Sequence, residues 1–83
     1  MLDNKQNILT FLIEHRLFAP SVSAFATLLR YVNRTKIYRL INNKIRKVET
    51  IDQIWDDTCK LFGISEEQLI EIAVITERAK WFY

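Results

Sequence analysis

The sequence predicts an all-α fold, a compact domain of five helices in which residues 1–83 form a single unit. Three observations lead to this prediction. The chain has only one Gly and one Pro among its 83 residues, whereas turn-rich β-sandwiches and barrels need many of both. Hydrophobic residues make up 49% of the chain, which is too many for a disordered segment and enough for one small core. They recur at helical spacing, with helix-capping residues between the apolar stretches.

The first helix is expected from about residue 3 to residue 17. Asp3 and Gln6 have the spacing of a capping box at its start, and Pro20 prevents the helix from continuing because it favours an extended conformation in the preceding residue. Ser21 is then the expected N-cap of a second helix. The apolar positions of that helix lie on one face: Val22, Phe25, Ala26 and Leu29.

A short third helix is predicted to begin at its cap, Asn33, and to end at Asn42. Val32 is expected to pack on Ile37 as a hydrophobic staple. Asn43 follows the helix, and asparagine tolerates the left-handed conformation that is common at helix ends. A helix of this length is unstable alone, so tertiary packing must hold it. Its inward face is expected to comprise Ile37, Leu40 and Ile41.

The fourth helix is expected to start at Thr50, which forms a second capping-box pair with Gln53, and to end at Gly63. One side of this helix is expected to be buried: Ile51, Ile54, Trp55, Leu61 and Phe62.

The fifth helix is expected from about residue 66 to residue 80, after a third capping-box pair formed by Ser65 and Gln68. The C-terminal part of the chain, residues 70–83, is apolar almost all round, so it is expected to be buried either in this domain or against a second copy of the chain. The aromatic residues 81–83 allow the same two interpretations, or a continuation into a further domain. A homodimer through the C-terminal helix is therefore one expectation.

The charges are distributed unevenly along the chain. The totals are 12 Lys and Arg against 10 Asp and Glu, a net charge of +2. Residues 30–47 contain no acidic residue, whereas residues 48–83 carry eight acids against three bases. The basic residues of the first segment are Arg30, Arg34, Lys36, Arg39, Lys44, Arg46 and Lys47. Such a concentration of one sign indicates a polyanionic partner.

The second and third helices, with only a short connection and a basic outer face, have the layout of a helix-turn-helix. The recognition helix, 33–42, would lie in the DNA major groove. Arg34, Thr35 and Arg39 are the expected base contacts, because an arginine fork can bond guanine O6 and N7 and a threonine offers a hydroxyl and a methyl group. Contacts to the DNA backbone are expected from Ser21, Lys36, Tyr38, Asn42, Asn43, Lys44, Arg46 and Lys47.

Residues 21–69 resemble the lambda-repressor-like, Cro/Xre-type DNA-binding domain. The matching motifs are Ser21-Val-Ser-Ala-Phe-Ala-x-x-Leu in the second helix and Leu61-Phe-Gly-Ile-Ser-Glu-Glu-Gln-Leu at the start of the fifth. The resemblance implies base contacts from the first turn and middle of the third helix, and backbone contacts from Asn42 and Lys44. It also implies that residues 4–17 correspond to the family's first helix.

Two positions depart from the family pattern. The glycine that is usual between the two motif helices is replaced by Arg30-Tyr31 with one extra residue, which makes Arg30 an additional candidate for a phosphate contact. The glycine that usually follows the recognition helix is Asn43.

Nothing in the sequence predicts catalysis, and no catalytic residue, cofactor, metal or small-molecule substrate is expected. A single cysteine, Cys59, and a single histidine, His15, are too few for a Cys/His zinc site. The adjacent acids Asp56 and Asp57 diverge by about 100° on a helix and cannot act as a paired acid and base. With no apolar run long enough to span a bilayer and no signal peptide, we expect no membrane partner and a cytoplasmic location.

The function predicted from the sequence is therefore sequence-specific binding of double-stranded DNA by a transcriptional regulator of bacterial or phage type. The alternative is a protein–protein interaction module that uses the acidic helices or the aromatic C-terminus. An antitoxin-like regulator would combine both roles. Ion pairs between Arg34 or Arg39 and Asp56 or Asp57 would favour the interaction module, as would a large exposed apolar patch.

Overall fold

The computed structural model describes residues 4–79, which form five helices and, within that range, no strand. The helices are α1 (Lys5–Glu14), α2 (Val22–Leu28), α3 (Thr35–Ile41), α4 (Val48–Phe62) and α5 (Glu66–Ala79). The predicted all-α, five-helix fold is confirmed. The proposed cap Asp3, the expected helix end at Lys80 and the aromatic residues 81–83 lie outside the described residues.

The core is built around α1, which packs against each of the other four helices. Leu9 and Leu12 of α1 are completely buried, and they lie among large side chains from every other helix. The remaining buried hydrophobic residues are Ile8, Ile13, Phe25, Ala26, Ile37, Leu40, Ile54, Trp55, Leu69 and Ala73. Burial of this set explains how helices of seven residues, too short to be stable in isolation, are held in place.

The capping residues of α2 and α5 are those predicted. The Ser21 hydroxyl accepts a hydrogen bond from the Ala24 N–H at 3.1 Å. Ser65 and Gln68 form the reciprocal pair of a capping box, because each side chain accepts a hydrogen bond from the other residue's N–H, at 2.8 and 3.2 Å.

The predicted start of α4 is wrong, whereas the cap of α1, Asn4, lies next to the expected start near residue 3. Asn4 caps α1 by accepting from the Asn7 N–H at 2.8 Å, which leaves Gln6 to bond elsewhere. The fourth helix begins two residues before Thr50, because the chain already turns at Lys47 and the Thr50 N–H bonds the Lys47 carbonyl at 3.1 Å.

The burial predicted for the end of α4 is also wrong. Leu61 and Phe62 are 38% and 40% exposed, and Thr58 is buried in the core instead. The Thr58 hydroxyl is satisfied by a 2.8 Å hydrogen bond to the Ile54 carbonyl, so its burial leaves no unpaired polar group. The Phe62 ring stacks on Phe18 of the α1–α2 connection, with centroids 5.1 Å apart.

Four helices end in the same way, with a residue in the left-handed conformation. The N–H of the residue that follows it bonds the carbonyl of the residue five positions before that donor, as in a Schellman motif. The left-handed residues are Arg16, Arg30, Asn43 and Gly63, with φ between 56° and 63°. The prediction for Asn43 and Gly63 is confirmed. The first helix ends at Glu14, three residues before the predicted end, because the chain leaves the helix through Arg16.

The third helix begins at Thr35, two residues later than predicted. Asn33 still accepts a hydrogen bond from the Thr35 N–H, at 2.8 Å, and so stabilises this start from outside the helix. The proposed staple is wrong, because Val32 is fully exposed whereas Ile37 is completely buried. The connection between α2 and α3, residues 29–34, is longer than the three or four residues usual in a helix-turn-helix.

Candidate nucleic-acid interface

A concave groove of about 1230 Å³ runs beside α3. Three consecutive segments form it: the connection before α3, the outer face of α3 and the extended segment that leads into α4. Its lining residues are Arg30, Tyr31, Val32, Asn33, Thr35, Lys36, Arg39, Asn43, Lys44, Ile45, Arg46, Lys47 and Thr50. Six of these residues are cations and none is acidic, so the groove has a strongly positive potential.

The first helix holds α3 in the orientation that creates the groove. Ile37 and Leu40 are completely buried. The Gln6 side-chain amide donates to the Leu40 carbonyl at 2.7 Å, and the Thr10 hydroxyl donates to the same oxygen at 3.4 Å. With the opposite face of α3 fixed in this way, Arg39 is exposed to solvent in the groove.

Tyr31 ties the groove to α4. Its hydroxyl donates to the Asp57 carboxylate at 2.6 Å, and the Gln53 amide donates to the other oxygen of that carboxylate at 2.9 Å. Partial burial, together with the hydrogen bond and the negative charge of Asp57, raises the pKa of Tyr31 far above its ordinary value. The Lys36 ammonium lies 4.8 Å from the centre of the Tyr31 ring.

The groove cations are not neutralised by the domain itself. The ion pairs among residues 4–79 join Lys5 to Asp52 at 3.2 Å and to Glu66 at 3.6 Å, and none of these three residues lines the groove. None of the groove cations forms an ion pair with a described residue, although Asp57 lies just behind Tyr31. The positive charge is therefore available to a ligand.

The structure brings together eight of the twelve predicted contact residues. The eight that line the groove are Arg30, Thr35, Lys36, Arg39, Asn43, Lys44, Arg46 and Lys47. The other four, Ser21, Arg34, Tyr38 and Asn42, are exposed but do not line it. Arg34 instead donates to the Ser23 hydroxyl of α2 at 3.0 Å.

Sequence reasoning missed five lining residues: Tyr31, Val32, Asn33, Ile45 and Thr50. Asn33 and Thr50 were assigned as helix caps and Val32 as a core residue. Tyr31 had no signal of its own, because its partner Asp57 lies 26 residues away in sequence. For Ile45, its position within the basic segment was the available signal.

Other reactive side chains do not assemble into a second site. No group of His, Cys, Asp or Glu among residues 4–79 is arranged to hold a metal ion. Burial, reinforced by the nearby Asp56 and Glu66, raises the pKa of the Cys59 thiol, which disfavours the nucleophilic thiolate. His15 is exposed, and its Nδ1 lies 2.8 Å from the Phe11 carbonyl. Within the same residues, every helix is too short or too polar to cross a lipid bilayer.

The chain matches no family model, no curated protein and no solved structure. The resemblance to the Cro/Xre-type domain therefore stays a prediction.

Proposed function

We propose that this protein binds double-stranded DNA in a sequence-specific manner, as the DNA-binding domain of a transcriptional regulator, and that the groove beside α3 is the binding surface. The single observation that supports this most directly is the set of six cations around an outward helix face with no acid among the lining residues. Phosphate neutralisation supplies most of the affinity of DNA-binding proteins. A groove cation that has no acidic partner can neutralise a phosphate without first breaking an ion pair.

The residue types suggest a division of roles within the groove. Thr35 and Arg39 lie on the solvent face of α3 and are proposed to read base edges, because arginine can bond guanine at two positions. Lys44, Arg46 and Lys47 lie on the extended segment after α3 and are proposed to bind phosphates, which orient the domain without reading sequence. Arg34 is a weaker candidate for base reading, since its guanidinium already bonds Ser23.

The aromatic content of the groove favours a duplex over a single strand. Single-stranded nucleic acids are usually bound by stacking their bases on exposed aromatic rings. Tyr31 is the one aromatic residue among those that line the groove, and the Lys36 ammonium lies against its ring. No open stacking platform remains among the lining residues.

A protein partner is a second candidate function for a different surface. The fifth helix exposes Ile70, Val74 and Ile75, with Ile75 at 57%. Aliphatic side chains on an acidic helix are compatible with the predicted homodimer through the C-terminal helix, and sedimentation equilibrium over a range of protein concentrations tests it. A monomer at every concentration would exclude the homodimer. The ion pairs of Arg34 or Arg39 with Asp56 or Asp57, which would have favoured an interaction module over DNA binding, are absent among the described residues.

DNA binding is tested with duplexes selected from a random pool and titrated at about 50 to 200 mM salt. We expect the logarithm of the association constant to fall linearly with the logarithm of salt concentration, by about 0.9 for each phosphate neutralised. Binding that does not weaken with salt, or no enrichment of a sequence, would contradict the proposal.

Point variants then separate the roles of the groove residues. Arg39→Ala is expected to reduce binding to the selected site more than binding to unrelated duplex, whereas Lys44→Ala should weaken both by a similar factor and lower the salt slope by about 1. Arg78→Ala and Lys60→Ala are matched controls, because both residues are exposed cations on α5 and α4 outside the groove. Equal losses for groove and control variants would indicate non-specific attraction.

A further inference from the structure

We infer that Val32 is a ligand-contact residue of the groove, and that it contacts the C5-methyl group of a thymine in the DNA major groove. This inference depends on the proposed DNA binding and adds one determinant of sequence preference. The observation that leads to it is the exposure of Val32, which has 106% of the reference accessible area for the residue although its spacing predicted a buried staple.

The location of Val32 distinguishes it from the exposed aliphatic residues elsewhere on the surface. Val32 lies in the lining of the basic groove, whereas Val48, which is 66% exposed, does not. A fully exposed isopropyl group makes no contribution to the core. A ligand that occupied the groove would cover it and remove its apolar surface from water.

The residues on both sides of Val32 hold it in this position. Before it, the Tyr31 N–H bonds the Ala26 carbonyl at 3.0 Å, and the Tyr31 hydroxyl bonds Asp57 at 2.6 Å. After it, Asn33 accepts from the Thr35 N–H at 2.8 Å. Val32 therefore projects from a segment anchored to α2, α3 and α4, and little conformational freedom is lost when a ligand contacts it.

The chemistry of duplex DNA limits what an isopropyl group can recognise. Phosphates and most base edges in the major groove are polar, whereas the thymine methyl group is apolar and is contacted by small apolar side chains in protein–DNA complexes. Val32 shares the groove with Thr35 and Arg39, the residues proposed above to read bases. It is thus placed to add preference for a thymine next to the positions that those residues read.

The test compares wild-type protein with Val32→Ala on two probes. One probe is the duplex selected by the wild-type protein, and the other is the same duplex with deoxyuridine in place of thymidine, which lacks only the methyl groups. We expect wild type to lose about fourfold in affinity for the deoxyuridine probe per contacted thymine, because the burial of one methyl group is lost. Val32→Ala should bind the thymidine probe more weakly and should discriminate less between the two probes. Val48→Ala is the matched control and should behave as wild type.

The outcomes distinguish this inference from the proposed function. If wild type binds no duplex in a salt-dependent way, the proposed function itself fails. If wild type binds but Val32→Ala discriminates between the probes as strongly as wild type does, the thymine contact is overturned while DNA binding stands. A loss of affinity in Val32→Ala that is equal on both probes would indicate contact with another part of the duplex and would also overturn it. Thermal unfolding of each variant confirms that the proteins compared are folded.

Discussion

The scaffold formed by α1, α4 and α5 differs from the groove segment, residues 30–47, in what its side chains contact. In the scaffold, Leu9, Trp55 and Leu69 are at most 1% exposed, and the cation Lys5 has two carboxylates within 3.6 Å. In the groove segment, the two buried residues Ile37 and Leu40 hold α3, and the cations have no acidic partner among residues 4–79. The fold and the proposed binding function therefore depend on largely separate sets of residues.

Only a few contacts connect the two regions. The Leu40 carbonyl accepts from Gln6 and Thr10 of α1, and Tyr31 donates to Asp57 of α4. These contacts fix the groove segment to the scaffold, and the segment would not be stably folded alone.

The largest effect is expected from Trp55→Ala in the scaffold. Removing this buried side chain should lower the free energy of unfolding by about 3–5 kcal/mol, because transfer and cavity costs add. The double variant Arg39→Ala/Lys44→Ala in the groove should stay within about 0.5 kcal/mol of wild type. Urea denaturation followed by circular dichroism measures both. A similar loss in the two variants would show that the groove cations also stabilise the fold.

Tyr31→Phe is expected to have the next largest effect, because Tyr31 connects the regions. Its hydrogen bond to a carboxylate should contribute about 1.5–3 kcal/mol, and removing it leaves Asp57 with Gln53 as its remaining partner. Denaturant titration of Tyr31→Phe beside Tyr38→Phe measures the difference, since Tyr38 is 43% exposed. Equal stability of the two variants would contradict a connecting role for Tyr31.

The same pair of variants gives a pH test. Folding raises the pKa of the Tyr31 phenol, through burial and then through Asp57. The raised value means that this stabilisation is fully present below the unfolded pKa, about 10, and is lost as pH rises above it. Wild type and Tyr38→Phe should therefore lose stability more steeply above pH 10 than Tyr31→Phe does. Parallel curves for all three proteins would show that Tyr31 titrates normally.

A smaller effect is expected from exchanging residues at two helix ends that share one geometry. Gly63→Ala in the scaffold should cost about 1–2 kcal/mol, the cost of the left-handed conformation for a residue with a Cβ. Nothing lies within 4 Å of the added Cβ, so no steric clash contributes. Arg30→Gly in the groove should instead stabilise the fold by about 0.5–1 kcal/mol, because relief of this cost exceeds the entropy that glycine loses on folding.

Substitutions of Arg30 also distinguish an effect on folding stability from an effect on DNA binding. Arg30→Gly should bind duplex DNA more weakly while folding more stably, since it removes a groove cation. Arg30→Ala removes the same charge but keeps the left-handed strain, so its thermal midpoint should stay near that of wild type. If Arg30→Gly does not stabilise the fold relative to Arg30→Ala, the strain assigned to this position is wrong.

The smallest effect is expected from the scaffold ion pairs. Lys5→Met should change the free energy of unfolding by at most about 1 kcal/mol, because Lys5, Asp52 and Glu66 are all partly exposed. Raising the salt concentration to about 1 M should reduce the difference from wild type further. A difference well above this that persists in high salt would mean that Lys5 contributes mainly through its contact with the Trp55 ring, 5.6 Å away.

Sequence reasoning succeeded for features that depend on residues close together along the chain. Ser21, the Ser65–Gln68 pair, Asn43 and Gly63 are where their types predict, because a cap bonds backbone groups within a few residues. The cations of the groove were identifiable for the same reason, since they belong to one short segment.

The wrong predictions rest on local sequence patterns that another hydrogen bond or a turn replaces. Thr50–Gln53 and Asp3–Gln6 have the spacing of capping boxes, but Gln53 bonds Asp57 and Gln6 bonds the Leu40 carbonyl. Val32 matched a staple pattern, yet the left-handed turn at Arg30 directs the chain so that Val32 is fully exposed. Gln53 bonds a side chain four residues away on its own helix, Gln6 bonds a carbonyl 34 residues away, and a neighbouring turn directs Val32 away from the staple contact.

Local sequence patterns specify the all-helical fold, the starts of α2 and α5, the ends of α3 and α4, and the concentration of positive charge in residues 30–47. These properties follow from apolar periodicity, the conformational preferences of single residues and composition, which act over a few residues. The tertiary structure was needed to show that eight of the predicted contact residues share one groove, that Tyr31 is anchored to Asp57 and that Val32 is exposed in the groove that Arg39 also lines. The physical reason is that burial of the core against α1 orients α3 and its flanking segments, and this packing depends on residues far apart in the chain.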